Sequence, residues 1–168
     1  EAANRLIDAL GQGDTAAGKE AVNEFCREHG FVSTHLGRKF LESDPADDNY
    51  ISALDTASFL QQICRGTLVN EDASQKMLTI LKGQTVRGKI PAGLPEGFQS
   101  ANKTGEMPEG YGLGCIENDA AVIWTPSGEP YILAVLSNDL GGRNDQAAEV
   151  IRSIAMFSAQ HAEEWTSG

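Results

Sequence analysis

Four consecutive residues, Lys103-Thr104-Gly105-Glu106, carry the residue types best suited to chemistry in this 168-residue sequence. A lysine cation beside a threonine hydroxyl can hold an anionic substrate, and a glycine, which lacks Cβ, lets the backbone come close to it. Glycines and prolines flank the short apolar-polar segment, residues 98–105, that contains most of this motif. Turn residues on both sides of such a segment predict a strand rather than a helix. The sequence therefore predicts an anion-binding site on a strand.

The composition, 40% hydrophobic and 22% charged residues, is that of a globular unit with a hydrophobic core. No apolar run approaches the roughly 18 residues of a membrane span, so none is predicted in this chain. The net charge of −11 argues against nucleic acid as a partner, because most of the surface would repel a polyanion. The three cysteines and three histidines are widely spaced and form no metal-binding pattern, so neither a cofactor nor a metal is expected.

Five basic residues in the middle of the chain stand out against this acidic background. They are Lys76, Lys82, Arg87, Lys89 and Lys103. Glu96 is the single acidic residue between the first and the last of them, so a small anion could be accommodated there. For each of the five except Lys103, the simpler interpretation is a solvated surface charge.

Helical periodicity dominates the first part of the chain. Apolar spacing predicts helices over residues 2–10 and about 15–29, which should form a hairpin. Residues 31–50 show no sustained periodicity, and an irregular loop of this length inside a compact domain is commonly functional.

Two more helices are predicted before the Lys-Thr-Gly segment. Ser52 is the expected N-cap of the first, in which Asp55 takes the place of the usual Glu or Gln of a capping box. Asn70 is the expected N-cap of the second, which ends near Gly83.

Strand signals appear only in the second half of the chain. Residues 119–125 and 130–137 are β-prone and are separated by a Pro-Ser-Gly turn, which predicts a hairpin. A helix over about 145–164 is expected to face the sheet with five apolar residues, Ala148, Ile151, Ile154, Ala155 and Phe157. The predicted fold is α+β: a helical part over 1–97 with its irregular loop, and strands plus a helix over 98–168, forming one compact unit.

The order and spacing of these pieces resemble the class A β-lactamase-like enzymes, a family of penicillin-recognising serine hydrolases. The matching features are Ala2-Ala3-Asn4, the loop near 34–38, the Asp55 helix, Gly93-Leu94-Pro95 before Lys103-Thr104-Gly105, Asn118-Asp119-Ala120-Ala121-Val122, and the strand over 130–137. The resemblance covers nearly the whole chain. It implies the C-terminal part of the β-lactamase/transpeptidase-like fold.

The family's mechanism uses three motifs, Ser-x-x-Lys with the acylated serine, Ser-Asp-Asn, and Lys-Thr-Gly. Ser100-Ala101-Asn102-Lys103 matches the first pattern, but residues i and i+3 of a strand point to opposite faces. Ser43-Asp44-Pro45 lies too far downstream to be the second motif. In the family, Ala-Ala-Asn follows Ser-Asp-Asn closely, so we expect this chain to begin just after that motif and to lack the serine.

The resemblance implies a role for each matching residue. Lys103 would neutralise the substrate carboxylate and tune the proton shuttle, and Thr104 would hydrogen-bond that carboxylate. Gly105 would permit close backbone approach, and the backbone N–H of Glu106 would form half of the oxyanion hole. Asn4 would be structural and would brace the long loop.

The long loop is where the sequence departs from the family. Class A β-lactamases use a glutamate shortly after an arginine to activate the deacylating water. Counting from Arg38, a structural residue in this comparison, the expected position falls near Phe40, and the nearest acid is Glu42. Glu42 is therefore the candidate catalytic base, and without a working base the acyl-enzyme would persist.

The sequence thus predicts a β-lactamase-like serine hydrolase, inactive as this chain alone, whose substrate is a β-lactam or a peptidoglycan peptide. By resemblance it would act outside the cytoplasm, secreted or in the cell envelope, although the first residues contain no signal peptide. The alternatives are a D-alanyl-D-alanine peptidase (a penicillin-binding protein) and a noncatalytic binding module. Open strand edges also raise self-association as a possibility.

Overall fold

The computed structural model describes residues 2–42, 46–107 and 114–166, and within these ranges it contains six helices and three strands. Their order is α1 (Ala2–Leu10), α2 (Thr15–Glu28), α3 (Ala53–Cys64), α4 (Glu71–Lys82), α5 (Ile90–Gly93), β1 (Gln99–Met107), β2 (Ile116–Trp124), β3 (Pro130–Val135) and α6 (Asn144–Thr166). Helices precede an antiparallel sheet and one long helix follows it, so the predicted α+β fold is confirmed. No helix in these ranges is long and apolar enough to cross a membrane.

The chain divides into two compact units, residues 1–55 and 56–168. In the first unit, α1 and α2 form a close hairpin that depends on Gly18. A Cβ at Gly18 would lie 1.9 Å from the carbonyl oxygen of Ile7, so only glycine fits there. The predicted boundary at residue 97 marks a change in secondary-structure content, and as a domain boundary it stays a prediction.

The irregular loop after α2 is held by side chains that bond the backbone. Asn23 donates to the carbonyl of Leu36 at 3.1 Å and accepts from its N–H at 2.7 Å. Asn49 accepts from the N–H of Arg38 at 3.0 Å, and a single β-bridge joins residues 35 and 50. These contacts supply the partners that the loop backbone would otherwise obtain from regular structure.

The start of α3 is tied to this loop through Asp55. The hydroxyl of Ser52 accepts from the N–H of Asp55 at 3.0 Å, which is the predicted N-cap bond. The buried Asp55 carboxylate accepts from the N–H of Ser33 at 2.7 Å and from the hydroxyl of Thr34 at 2.8 Å. Asp55 therefore fixes the beginning of the loop as well as the helix start.

The sheet of the second unit has the strand order β1-β2-β3, with both pairs antiparallel. Lys103 pairs with Ala120, and Thr104 pairs with Asp119. Because side chains alternate along a strand and directly paired residues share a face, Thr104 and Asp119 lie on one face and Lys103 lies on the other.

The hydrophobic core lies on the Thr104 face, between the sheet and helices α5 and α6. Its buried residues are Ile90, Ala121, Ile123, Ile151 and Ala155. At Gly93 of α5, a Cβ would lie 2.2 Å from the carbonyl oxygen of Arg152, so this glycine lets α5 pack directly on α6. The short α5 was not predicted, since its four residues lie in a segment rich in proline and glycine.

The predicted buried face of α6 was partly wrong. Ile151 and Ala155 are buried, but Ile154 is 36% exposed and Phe157 is 58% exposed. The buried stripe continues instead through small residues, Ser158, Ala159 and Ala162. Small side chains on this stripe allow close packing, so the larger apolar residues are displaced to the outer face.

Candidate functional site

The Lys-Thr-Gly residues lie on β1, which is confirmed as a strand and pairs with β2 alone among the described strands. The second edge of β1 thus keeps its backbone groups available to a ligand. Lys103 is exposed on one face, and its Nζ donates to the carbonyl oxygen of Thr104. Thr104 is 5% exposed on the opposite face. An anion lying along this edge could approach both side chains.

Lys103 also differs from Lys89 in its charge partners. Within the described ranges it forms no ion pair, whereas Lys89, near the opposite face of the same strand, forms two. An exposed lysine with an uncommitted charge attracts anions to the strand edge. The geometry is therefore compatible with the predicted anion site.

The described residues around Gly105 leave room for a side chain at this position. A Cβ there would lie 3.6 Å from the Cβ of Asn118, which is an ordinary van der Waals distance. The packing of the described residues does not require glycine. Close approach of a ligand to Gly105 stays a prediction.

The side chain of Glu106 belongs to a charged cluster that the sequence did not predict. Lys89 Nζ donates to Glu106 Oε1 at 2.6 Å and to Glu117 Oε2 at 2.9 Å. Glu106 and Glu117 are directly paired across β1 and β2, so one lysine neutralises two neighbouring carboxylates. Lys89 is 4% exposed, and its predicted role as a solvated surface charge is therefore wrong.

Burial and pairing compete in setting the charge states of this cluster. Burial disfavours the charged form of Lys89, but its hydrogen bonds to Glu106 and Glu117 outweigh burial and raise the pKa of Lys89. For Glu106, burial likewise opposes ionisation. The hydrogen bond from Lys89, with the nearby charges of Lys89 and Lys103, nevertheless lowers the pKa of Glu106. Lys89 and Glu106 are accordingly both charged at neutral pH.

A second polar pair supports β1 from the core side. Asp119 is fully buried and accepts from the N–H of Ile90 at 2.9 Å and from Asn102 Nδ2 at 3.0 Å. Burial raises the pKa of Asp119, and the hydrogen bond from Asn102 opposes this effect. Asp119 on β2 therefore links the first residue of α5, Ile90, to Asn102 on β1.

Ser100 lies far from the geometry that a lysine-activated nucleophile needs. It is buried on the Thr104 face, where its hydroxyl accepts from Arg87 Nη2 at 3.0 Å. Lys103 projects from the other face. A serine nucleophile and its lysine must lie within hydrogen-bond reach of each other, which this strand arrangement does not provide.

The remaining predicted site residues lie in the first unit, around the irregular loop. Asn4 donates to the carbonyl of Phe40 at 3.0 Å and accepts from its N–H at 2.9 Å. Arg38 is 6% exposed and donates from Nε to Asp48 Oδ1 at 2.7 Å. Glu42 is exposed. The Ser43-Asp44-Pro45 segment lies outside the described residues.

Solved structures define the class of protein to which this fold belongs. A variant of the last common ancestor of Gram-negative bacterial class A β-lactamase superposes with a TM-score of 0.80 at 26% identity, covering 97% of this chain and 59% of that one. The structure of PBP-A, 24% identical, superposes with a TM-score of 0.75 over 90% of this chain and 54% of that one, which shows the shared fold alone. The fold is that of the β-lactamase and penicillin-binding protein class.

Sequence comparison then gives the family. A β-lactamase of Proteus vulgaris is 33% identical over 141 residues, which cover 80% of this chain and 47% of that protein. A β-lactamase of Mycobacterium tuberculosis is 31% identical over 150 residues, covering 86% and 46% respectively. Residues 1–161 match the Beta-lactamase enzyme family, and the chain belongs to it. The chain spans about half the length of these relatives.

Proposed function

We propose that this protein is a serine hydrolase that opens β-lactam amide bonds through an acyl-serine intermediate, and that β1 is its carboxylate-binding strand. The observation that carries the proposal is the exposed Lys103, which forms no ion pair with the described residues, beside Thr104 on an open strand edge in a chain of the β-lactamase family. Lys103 attracts the substrate carboxylate, and the Thr104 hydroxyl orients it. A β-lactam or peptidoglycan-peptide substrate places the protein in the cell envelope or outside the cell.

The backbone of β1 serves the reaction as well. The N–H of Glu106 supplies one donor of the oxyanion hole, which stabilises the negative charge that develops on the attacked carbonyl oxygen. The sole Ser-x-x-Lys sequence among the 168 residues is Ser100 to Lys103, and its side chains point to opposite faces. The acylated serine and its activating lysine are therefore supplied from outside these residues.

Acylation by a fluorescent penicillin tests this proposal. The complete gene product should be labelled covalently, whereas the 168-residue chain alone should not. Lys103→Ala should slow labelling by roughly 100-fold or more, the usual effect of losing one preorganised electrostatic contact. Lys76→Ala, which removes an exposed helix lysine, is the matched control and should label normally. Labelling of the isolated chain, or an unchanged rate in Lys103→Ala, would contradict the proposal.

The fate of the acyl-enzyme separates a β-lactamase from a penicillin-binding peptidase. Counting from Arg38 puts the family's glutamate near Phe40, and the Asn4 side chain bonds the backbone of Phe40. An apolar side chain at this position favours slow deacylation, which is peptidase-like behaviour. Glu42, two residues later and exposed, is the alternative base if the loop has shifted its register.

Two variants of the complete protein decide between these outcomes. If Glu42 activates the deacylating water, Glu42→Gln should slow release of the bound penicillin. Glu28→Gln, at an exposed position of α2, is the control. If the family's glutamate position instead corresponds to residue 40, Glu42→Gln should have no effect on release, and Phe40→Glu should accelerate it. Complete absence of acylation in every variant would favour a noncatalytic binding module.

A further inference from the structure

The backbone of Glu106 points toward the edge of β1 that no described strand covers. The N–H of Glu117 donates to the Ser137 hydroxyl at 3.2 Å, and the Glu117 carbonyl oxygen accepts from the same hydroxyl at 2.5 Å. Ser137 follows β3, so both backbone groups of Glu117 point away from β1. Directly opposed residues of an antiparallel pair either exchange both hydrogen bonds or make neither. Glu106, opposite Glu117, therefore directs its N–H and carbonyl away from β2.

The same pairing brings two carboxyl groups close together on one face of the sheet. In a pair without mutual hydrogen bonds the two Cα atoms are only about 4.5 Å apart, and the side chains are correspondingly close. Two negative charges in this arrangement would push the strands apart. Lys89 prevents this, because its Nζ contacts Glu106 Oε1 at 2.6 Å and Glu117 Oε2 at 2.9 Å.

Lys89 is itself fixed by the elements around it. The next residue, Ile90, is fully buried, and its N–H donates to the buried Asp119 on β2 at 2.9 Å. The Glu117 carboxylate also accepts from Asn144 Nδ2, at the start of α6, at 3.2 Å. The lysine is thus a well-anchored point from which the end of β1 can be held.

We propose that Lys89 is a positioning residue for the oxyanion hole: by holding the Glu106 side chain, it fixes the direction of the Glu106 backbone N–H. Glu106 is the last residue but one of β1, and its own backbone groups do not bond β2. The ion pair therefore supplies a restraint that strand pairing does not. This inference rests on the proposed function, which assigns that N–H to the oxyanion hole. Lys89 acts through Glu106 and does not contact the substrate.

Acylation kinetics of the complete protein with benzylpenicillin test the inference. Lys89→Met should lower the first-order acylation rate constant at saturation about tenfold, because a misplaced donor stabilises the oxyanion less. The dissociation constant of the noncovalent complex should change less than about twofold, since the oxyanion develops only in the transition state. Lys89→Arg can still bond both carboxylates and should recover most of the rate. Lys76→Met, at an exposed helix position, is the control and should change neither constant.

The carbonyl stretch of the acyl-enzyme separates positioning from a loss of stability. An ester carbonyl that accepts hydrogen bonds in the oxyanion hole absorbs at lower frequency than a free one. Its band in infrared difference spectra should therefore move to higher frequency in Lys89→Met and return in Lys89→Arg. Lower stability alone would reduce the amount of acyl-enzyme and leave the band in place. An unchanged band, or a wild-type acylation rate in Lys89→Met, would overturn the inference.

Glu106→Ala keeps the inference testable if Lys89→Met does not fold. This variant loses the carboxylate but keeps the backbone N–H, and Lys89 retains Glu117 as a partner. It should show the same slower acylation and the same shift of the carbonyl band. In a Glu106→Ala background, Lys89→Met should slow acylation further by much less than it does in the wild type.

Nuclear magnetic relaxation gives a readout that does not depend on acylation. The ¹⁵N order parameter of the residue-106 amide should fall in Lys89→Met and Glu106→Ala and should stay at the wild-type value in Lys76→Met. Equal order parameters in all four proteins would overturn the inference. If benzylpenicillin does not acylate the complete protein, the proposed function fails, and the order parameter alone then decides whether Lys89 orders this N–H.

Discussion

Lys89 shows how much a single residue can carry in this fold. It is nearly fully buried, yet it neutralises two carboxylates that face each other across neighbouring strands. Removing one partner of a buried ion pair leaves an uncompensated charge, which costs about 3–5 kcal/mol when the whole group is desolvated. The exposure of Glu106, 43%, reduces this cost, because solvent screens its charge.

We therefore expect Lys89→Met to lower the free energy of unfolding by about 2–3 kcal/mol, since Glu106 and Glu117 would then repel each other. Urea denaturation of the complete protein measures this loss. Lys76→Met removes a lysine from an exposed i,i+4 pair with Asp72 and should cost less than about 0.5 kcal/mol. Similar losses in the two variants would show that the Lys89 cluster does not stabilise the fold.

The stabilising effect of Glu106 should depend on pH in a defined direction. Its folded-state pKa is lowered from 4.5, so its contribution is present above pH 4.5 and is lost as the pH falls through the lowered value. The difference in unfolding free energy between the wild type and Glu106→Gln should therefore be constant from pH 7 to about 5 and shrink below 4.5. Denaturant melts at a series of pH values measure it, and a constant difference down to pH 3 would contradict the assignment.

The contribution of Asp119 to folding stability changes with pH in the opposite direction. Its folded-state pKa is raised from 3.8, so its contribution is most favourable below pH 3.8 and declines as the pH rises through the folded value. Two carboxylates on the same pair of strands thus respond to pH in opposite directions. Burial decides the outcome for Asp119, and a lysine partner decides it for Glu106.

Sequence could identify only part of the site at this scale. Lys103 and Thr104 are adjacent in the chain, and their motif predicts their position on a strand directly. Lys89 and Glu117 are 28 positions apart, and only the register of β1 against β2 brings Glu106 and Glu117 together around Lys89. Local spacing does not determine that register, so Lys89 was predicted to be a surface charge.

At the scale of elements, the α1–α2 hairpin depends on one glycine. Alanine is normally favoured over glycine inside a helix by about 1 kcal/mol. At position 18 the added Cβ would lie 1.9 Å from the carbonyl oxygen of Ile7, and this clash outweighs the gain in propensity.

Gly18→Ala should therefore destabilise the protein by about 2 kcal/mol or more, because α1 and α2 must separate to admit the methyl group. Urea denaturation gives the magnitude. Ala17→Gly, at the adjacent exposed position of the same helix, is the control and should cost no more than about 1 kcal/mol. A Gly18→Ala variant as stable as the wild type would mean that the helices are not in close contact.

The positions of the helices and strands along the chain were more predictable from the sequence than the faces that they bury. The last helix was expected over about 145–164 and spans Asn144–Thr166. The prediction of its buried side was partly wrong because α6 carries apolar residues on more than one face. Hydrophobicity alone favours burial of the largest of them. Close packing instead selects small residues such as Ala155 and Ala159, while Phe157 remains exposed. Apolar periodicity predicts where a helix begins and ends. The space available at the packing interface determines which of its faces is buried.

At the scale of the whole molecule, family membership rests on the order of many weak signals. The match extends over residues 1–161, although Lys-Thr-Gly alone would recur by chance in many chains. The departure expected from the family pattern, at Phe40 in the loop, is local. The fold therefore follows from features spread along the chain, whereas the activity depends on a few positions that no overall similarity determines.

The edges of the sheet lead to a prediction about association. Within the described residues, β1 and β3 are edge strands of a three-stranded sheet, and each offers unpaired backbone groups to another strand. We expect the isolated 168-residue chain to self-associate through such an edge, with a sedimentation coefficient that rises with protein concentration.

A lysine on β3 should oppose this association, because charged residues on edge strands discourage pairing between chains. Ile132→Lys, in the middle of β3, should therefore shift the isolated chain toward monomer. Ile80→Lys adds the same charge at a position of α4 that is 74% exposed, and it should leave association unchanged. Circular dichroism of both variants checks that the fold is retained. A chain that is monomeric at every concentration, or an equal effect of the two lysines, would show that the β3 edge does not drive association.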